Sequence, residues 1–167
     1  GLLVDTVADA RAAGPEHDWQ LDLAVLEPPA GATPQEAEDF LPEPPLVIGD
    51  EARLRQVIVN LLANARVHTP AGSHVTTTLT REGDALMVRI HDDGPGIAPD
   101  VRDRLFERFA RGDSSRERRT GSTGLGMSIA QAIVQSHGGS IDVDSSTAPE
   151  DHGTTFTVRL PAAVVEE

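Results

Sequence analysis

Residues Asp50 to Pro70 read DEARLRQVIVNLLANARVHTP, and the two Asn in this run decide how the rest of the chain is read. Leu54, Val57, Ile58, Leu61, Leu62 and Ala65 recur at spacings of three and four, which predicts a helix with one apolar face. Asp50 is placed to cap its start. At about 100° per residue, Gln56, Asn60, Asn64 and Val67 form a second stripe along the flank. Asn is a poor helix-interior residue unless its amide has a task. Two carboxamides one turn apart, beside a buried face, supply oxygens and N–H donors at a pocket wall, which suits a phosphate-bound hard cation. The bland alternative is two surface Asn on an amphipathic helix, and three stretches downstream weigh against it.

The 167 residues suffice for one domain with a real core. Aromatic residues are 3% and Tyr is absent, so Leu, Val, Ile and Ala must fill the interior. A net charge of −13 and a pI near 4.7 argue against nucleic acid or an anionic membrane as a partner. Cysteine is absent, which excludes disulfides and thiolate metal sites. No apolar run has the length to span a bilayer, so the chain is expected to be soluble. All 14 basic residues are Arg. Without Lys a Walker-type NTPase and Schiff-base chemistry are excluded. Arg108, Arg111, Arg116, Arg118 and Arg119 nevertheless make a local positive patch in an acidic protein.

In chain order, Leu2 to Ala13 predicts a helix and Trp19 to Val25 a strand. Glu27 to Pro45 holds six of the twelve Pro and five acids, and is expected to be an acidic loop inserted between strands, without regular structure. Leu46 to Ile48 is expected to resume the sheet. After the organising helix, Ser73 to Arg81 and Ala85 to His91 predict a β-hairpin turned at Glu82-Gly83-Asp84. Asp92-Asp93-Gly94-Pro95-Gly96-Ile97 ends the second strand, setting a carboxylate beside a backbone that a ligand can approach closely. Pro99 to Phe109 predicts a helix, and Ala110 to Ser122, rich in Arg, Ser and Gly, predicts a mobile loop. Gly124-Leu125-Gly126 leads into a helix from Met127 to His137 with Ile129, Ala130, Ile133 and Val134 inward. A helix entered through Gly presents its N-terminus to anions. Ile141 to Asp144 and Thr154 to Leu160 supply two more strands. His137 is expected to cap a helix C-terminus; His17, His74, His91 and His152 show no partner pattern, and no metal site is expected among them.

Taken together, NxxxN on a helix, then DxGxGI, FxxF and GLGM resemble the N, G1, F and G2 boxes of the catalytic ATP-binding domain of bacterial sensor histidine kinases. Four boxes in matching order are far more specific than any one of them. The resemblance spans roughly Asp50 to Leu160. It implies an α/β (α+β) two-layer sandwich of the Bergerat kind, a mixed sheet packed on helices. The whole chain, 1–167, would be one such domain, with residues 110–123 as its ATP lid and the phosphoacceptor domain elsewhere. The implied cofactors are ATP and Mg²⁺. Asn60 matches the Mg²⁺ ligand and Asn64 a phosphate contact. Asp92 matches the acceptor for the adenine amine, with Gly94, Gly96 and Ile97 shaping the pocket and Thr154 beside it. Phe106 and Phe109 match the F box, Arg108 and Arg111 would meet the γ-phosphate, and Thr123, Gly124, Leu125 and Gly126 would line the phosphates. Val67 and His68 stand where the family has a Lys and an aromatic residue, so phosphate charge falls to Mg²⁺ and the lid Arg. Ser122 stands where the family commonly has a Gly, a change that would stiffen the lid.

The resemblance implies a protein-histidine kinase that donates the γ-phosphate to a His on a separate dimerisation domain and serves a cognate response regulator. It implies a cytoplasmic domain of a membrane-anchored parent, without direct membrane or nucleic-acid contact. A hydrolase of the same superfamily needs a Glu four residues before the first Asn, where this chain has Gln56, which cannot act as a base. An anti-sigma-factor-like serine kinase or binding module is the other alternative, against which the F box and the long lid count.

Overall fold

The computed structural model describes residues 2–28, 30–41, 47–97 and 126–163. Its elements are α1 (Leu2–Ala13), β1 (Asp18–Asp22), α2 (Pro34–Asp39), α3 (Glu51–Val67), β2 (His74–Glu82), β3 (Ala85–Asp92), α4 (Gly126–Ser136), β4 (Ser140–Ala148) and β5 (Asp151–Pro161). The expected helix Pro99–Phe109 and lid 110–123 lie outside the described residues.

The five strands form one mixed sheet in the order β1-β2-β3-β5-β4. Only β1 and β2 run parallel; the other three pairings are antiparallel. Register puts Val75, Leu79, Val88, Ile90, Phe156, Val158 and Ile141 on one face, and all are buried. The opposite face carries Thr76, Thr78, Arg89, Thr157 and Asp142 at the alternate positions. Among the described residues this period-2 alternation sets an apolar, helix-covered face against a largely polar one, with Met87 buried on the second. The cover is helical: α3 packs between α1 and α4. Val57, Ile58, Leu61, Leu62 and Ala65 of α3 are all at most 5% exposed, so the predicted stripe is the centre of the core. Each such Leu contributes about 1.5–3 kcal/mol by leaving water. Trp19 is buried with its Nε1–H donated to the carbonyl of Gly14 at 2.7 Å, so the single Trp anchors the α1–β1 corner without leaving a polar atom unpaired.

Asp50 caps α3 as expected, its carboxylate accepting from the N–H of Arg53 at 3.2 Å. His137 ends α4 and does more than cap it. Its Nδ1–H donates to the Ile133 carbonyl at 2.7 Å, and Nε2 accepts from the Asp50 N–H at 3.0 Å. One imidazole thus ties the end of α4 to the start of α3. A side chain at Gly49 would collide with that ring, which accounts for the glycine there.

Four expectations are corrected. The acidic stretch 27–45 contains a helix, α2, opened by Thr33: its hydroxyl accepts from the Glu36 N–H, and Glu36 accepts from the Thr33 N–H, with Pro34 at the first helical position. These local bonds need no apolar burial. Val47 and Ile48 form no strand, and Ile48 is 82% exposed; β propensity without a neighbouring strand to pair with does not make a sheet. The strand read from Trp19 to Val25 is Asp18–Asp22, because β1 pairs only with the first five residues of β2, and the chain then turns through a short 3₁₀ segment, Ala24–Leu26. Finally, Ile129 is 40% exposed, whereas Met127, Ala130, Ile133 and Val134 are buried. Their arc centres between Ala130 and Val134, leaving Ile129 about 100° off. Among the described residues no helix is long and apolar enough to cross a membrane.

Candidate nucleotide site

Asn60 and Asn64 are half-buried on the flank of α3, one turn apart, while Gln56 is exposed at the same flank's start. They occupy the edge of the buried stripe, so backbone helicity fixes their spacing and the core fixes the helix. His68 is the C-terminal cap residue of α3, exposed, with its N–H bonded to the Asn64 carbonyl at 3.0 Å.

Asp92 ends β3 on the core face, in register with Val75 and Thr154. It is 6% exposed. Burial raises its pKa above the usual carboxylate range, opposed by the N–H of Gly94 and by weaker neighbours including the N–H of Thr154. The Gly94 N–H reaches Oδ1 at 3.0 Å. A buried carboxylate at a strand end is costly unless it has a partner to accept from. Beside it, Asp93 points outward. Burial would raise its pKa, but bonds from His74 outweigh this and lower it. The His74 N–H meets Oδ1 at 2.7 Å and the ring Nδ1 meets Oδ2 at 2.9 Å.

The loop that follows is pressed from both sides. A Cβ on Gly94 would run into Thr69, just past α3, and a Cβ on Gly96 would run into the Ser146 carbonyl of β4. Gly96 also has φ of +85°, a conformation that favours glycine. Thr69 is itself fixed, donating to the Ala65 carbonyl at 2.6 Å and meeting His17 Nε2 at 2.7 Å. The end of α3 and the end of β3 therefore meet, and the asparagine-bearing helix and Asp92 belong to one region of the molecule. Ile97 is half-buried against the core and its N–H donates to Ser145 Oγ at 2.7 Å. Thr154 is 3% exposed and its hydroxyl meets Ser145 Oγ at 2.8 Å.

His17, His74, His91 and His152 all have hydrogen-bond partners, although no pattern in the sequence signals them. His91 Nδ1 meets Thr155 Oγ1 at 2.8 Å, and His152 Nδ1 donates to the Gly94 carbonyl at 2.6 Å. Ser145 and His152 were not candidates by sequence; they reach the loop across 48 and 58 residues, and no local pattern signals that. Gly126 opens α4. Arg108, Phe109, Arg111, Thr123, Gly124 and Leu125 lie outside the described residues.

These described residues bring together a buried carboxylate, a tightly packed glycine turn after it, and two half-buried carboxamides on an adjoining helix. Residues 49–164 match the family model described as histidine kinase-, DNA gyrase B-, and HSP90-like ATPase. The chain is 48% identical over 160 residues to the probable sensor histidine kinase TcrY of Mycobacterium tuberculosis, covering 96% of this chain and 29% of that protein. It is 38% identical over 165 residues to the sensor histidine kinase TrcS of the same organism, covering 96% and 28%. The chain thus spans about three tenths of the length of these curated relatives. The solved mycobacterial sensor histidine kinase MprB superposes with a TM-score of 0.71 at 25% identity, over 98% of this chain and 95% of that one. Full-length ShkA in complex with AMPPNP superposes with a TM-score of 0.73 at 26% identity, over 100% and 30%. On the strength of the fold, the matched stretch and these relatives, the chain belongs to the histidine kinase-, DNA gyrase B- and HSP90-like ATPase family, as a catalytic ATP-binding domain of the sensor histidine kinase kind.

Proposed function

We propose that this chain binds Mg-ATP and presents the γ-phosphate to a histidine on a separate dimerisation domain of the same sensor kinase, for onward transfer to a cognate response regulator. The observation that carries the reading is Asp92, a buried carboxylate at a strand end whose following glycines are packed so closely that no side chain fits. It is an acceptor for the exocyclic amine of adenine, and guanine would face it with an oxygen instead. Gly94, Gly96 and Ile97 form the floor, with Thr154 next to the carboxylate. The Asn60 oxygen is the proposed Mg²⁺ ligand, with Asn64 and His68 toward the phosphates. Arg108, Arg111, Phe109, Thr123, Gly124, Leu125 and Gly126 are proposed from their sequence motifs to complete the phosphate side.

ATP supplies the phosphoryl group and Mg²⁺ neutralises its charge; the chain's own residues orient and screen, the main work in phosphoryl transfer. Gln56 on the exposed flank of α3 offers no base to activate water, which disfavours the hydrolase alternative.

Incubation with γ-labelled ATP tests the reading. The chain alone is expected neither to label itself nor to release phosphate quickly. Adding the His-bearing helical hairpin of its parent should give an acid-labile label, slowly, because effective concentration is low in trans. Fast phosphate release by the chain alone, abolished by Asn60→Ala, would point to the hydrolase instead.

A further inference from the structure

We infer that the β4–β5 hairpin positions the base-binding loop, with Ser145 as its inner clasp and His152 as its outer one. The inference rests on the nucleotide reading above and adds two residues that do not touch the base in that reading. Ser145 Oγ accepts from the Ile97 N–H at 2.7 Å and is bonded at 2.8 Å to Thr154 Oγ1, while its own distance to the Gly153 carbonyl is 3.1 Å. A single hydroxyl therefore joins the end of the loop to the residue that pairs with Asp92. On the other side of the loop, His152 Nδ1–H holds the Gly94 carbonyl at 2.6 Å. A carbonyl acceptor fixes the proton on Nδ1, so this bond survives in both the neutral and the charged ring.

Packing makes these bonds matter. Gly96 lies against the Ser146 carbonyl and Gly153 against the Asp92 carbonyl, so the loop and the hairpin meet backbone to backbone. Such contact is kept in one register by hydrogen bonds rather than by interlocking side chains. Loss of Ser145 Oγ frees Ile97 and Thr154 together, widening the floor under the base while leaving the phosphate side untouched. The loss should therefore fall equally on adenosine and on ADP.

The test is calorimetry of adenosine and of ADP on the 167-residue chain and four variants. Asp92→Ala is the control for the site itself. Ser145→Ala should weaken adenosine and ADP by the same factor, on the order of 10-fold. Ser145→Thr, which keeps the hydroxyl, should restore most of it, and the amide resonance of Ile97 should shift upfield in the Ala variant only. His152→Ala, a change at an exposed position, should weaken both ligands by a smaller factor and carries the test if Ser145→Ala fails to fold. Unchanged adenosine binding in Ser145→Ala or, failing that variant, in His152→Ala, with binding lost in Asp92→Ala, overturns this inference alone. A Thr variant as weak as the Ala variant also overturns it. Unchanged binding in Asp92→Ala overturns the nucleotide reading and this inference with it.

Discussion

Asn60 and Asn64 are placed by one helix, whereas Asp92, Gly94, Gly96 and Ile97 are placed by contacts from three separate parts of the chain. The asparagine pair needs only α3, whose buried stripe seats it on the sheet. The loop after Asp92 needs Thr69 on one side, Ser145 and Ser146 on another, and His152 outside. One wall of the proposed site is thus fixed by local periodicity and the other by long-range packing. The base wall should then respond to substitutions far away in sequence, and the phosphate wall mainly to the identity of its own side chains.

The largest expected effect is on the base wall. Asp92→Ala removes the proposed charge-assisted hydrogen bond to the adenine amine, worth roughly 1.5–3 kcal/mol, so affinity for ATP should fall about 10- to 150-fold in calorimetry. Equal affinity in the variant would remove Asp92 from the site and end the contrast between the walls.

A smaller loss is expected at the other wall. Asn60→Ala removes one neutral oxygen, worth roughly 0.5–1.5 kcal/mol, so Mg-ATP should bind about 2- to 10-fold more weakly. The deficit should vanish when the titration is repeated in EDTA, because the oxygen is proposed to act on the cation. A deficit of the same size without Mg²⁺ would assign Asn60 to some other contact.

The smallest effect is in stability and runs the opposite way. Burial holds the folded pKa of Asp92 above its unfolded value, so the group's contribution to stability is present below the unfolded value, near about 3.9. It is lost as pH rises through the folded value, and at neutral pH the buried anion is a net cost. Asp92→Asn keeps an acceptor for the Gly94 N–H without the charge. It should raise Tm at pH 7 by about 2–4 °C, the shift expected of 1 kcal/mol in a chain of this size, with the gain shrinking toward acid pH. A lower Tm at pH 7 would mean that the charge is already compensated and the pocket is not tuned for a ligand.

The same contrast explains what could be read in advance. The stripe on α3, the Asp50 cap, the β2–β3 hairpin and Asp92 at the strand end are all local patterns, and each stands in the structure where the sequence placed it. The Thr33-Pro34-Gln35-Glu36 start of α2 was equally legible as a capping box, and was hidden only by the acidic, Pro-rich composition around it. Val47 and Ile48 misled because strand propensity says nothing about whether a partner strand is free. Ser145 and His152 were illegible for a different reason: two ordinary polar residues on a hairpin acquire meaning only when the fold sets a glycine loop against them.

Adenosine has the base and none of the phosphates, so titrating it by calorimetry into Asp92→Ala and Asn60→Ala, side by side with the parent, separates the two walls. Adenosine binding should be lost from Asp92→Ala and nearly unchanged in Asn60→Ala. Equal loss in both variants, or adenosine retained by Asp92→Ala, would contradict this division of the site.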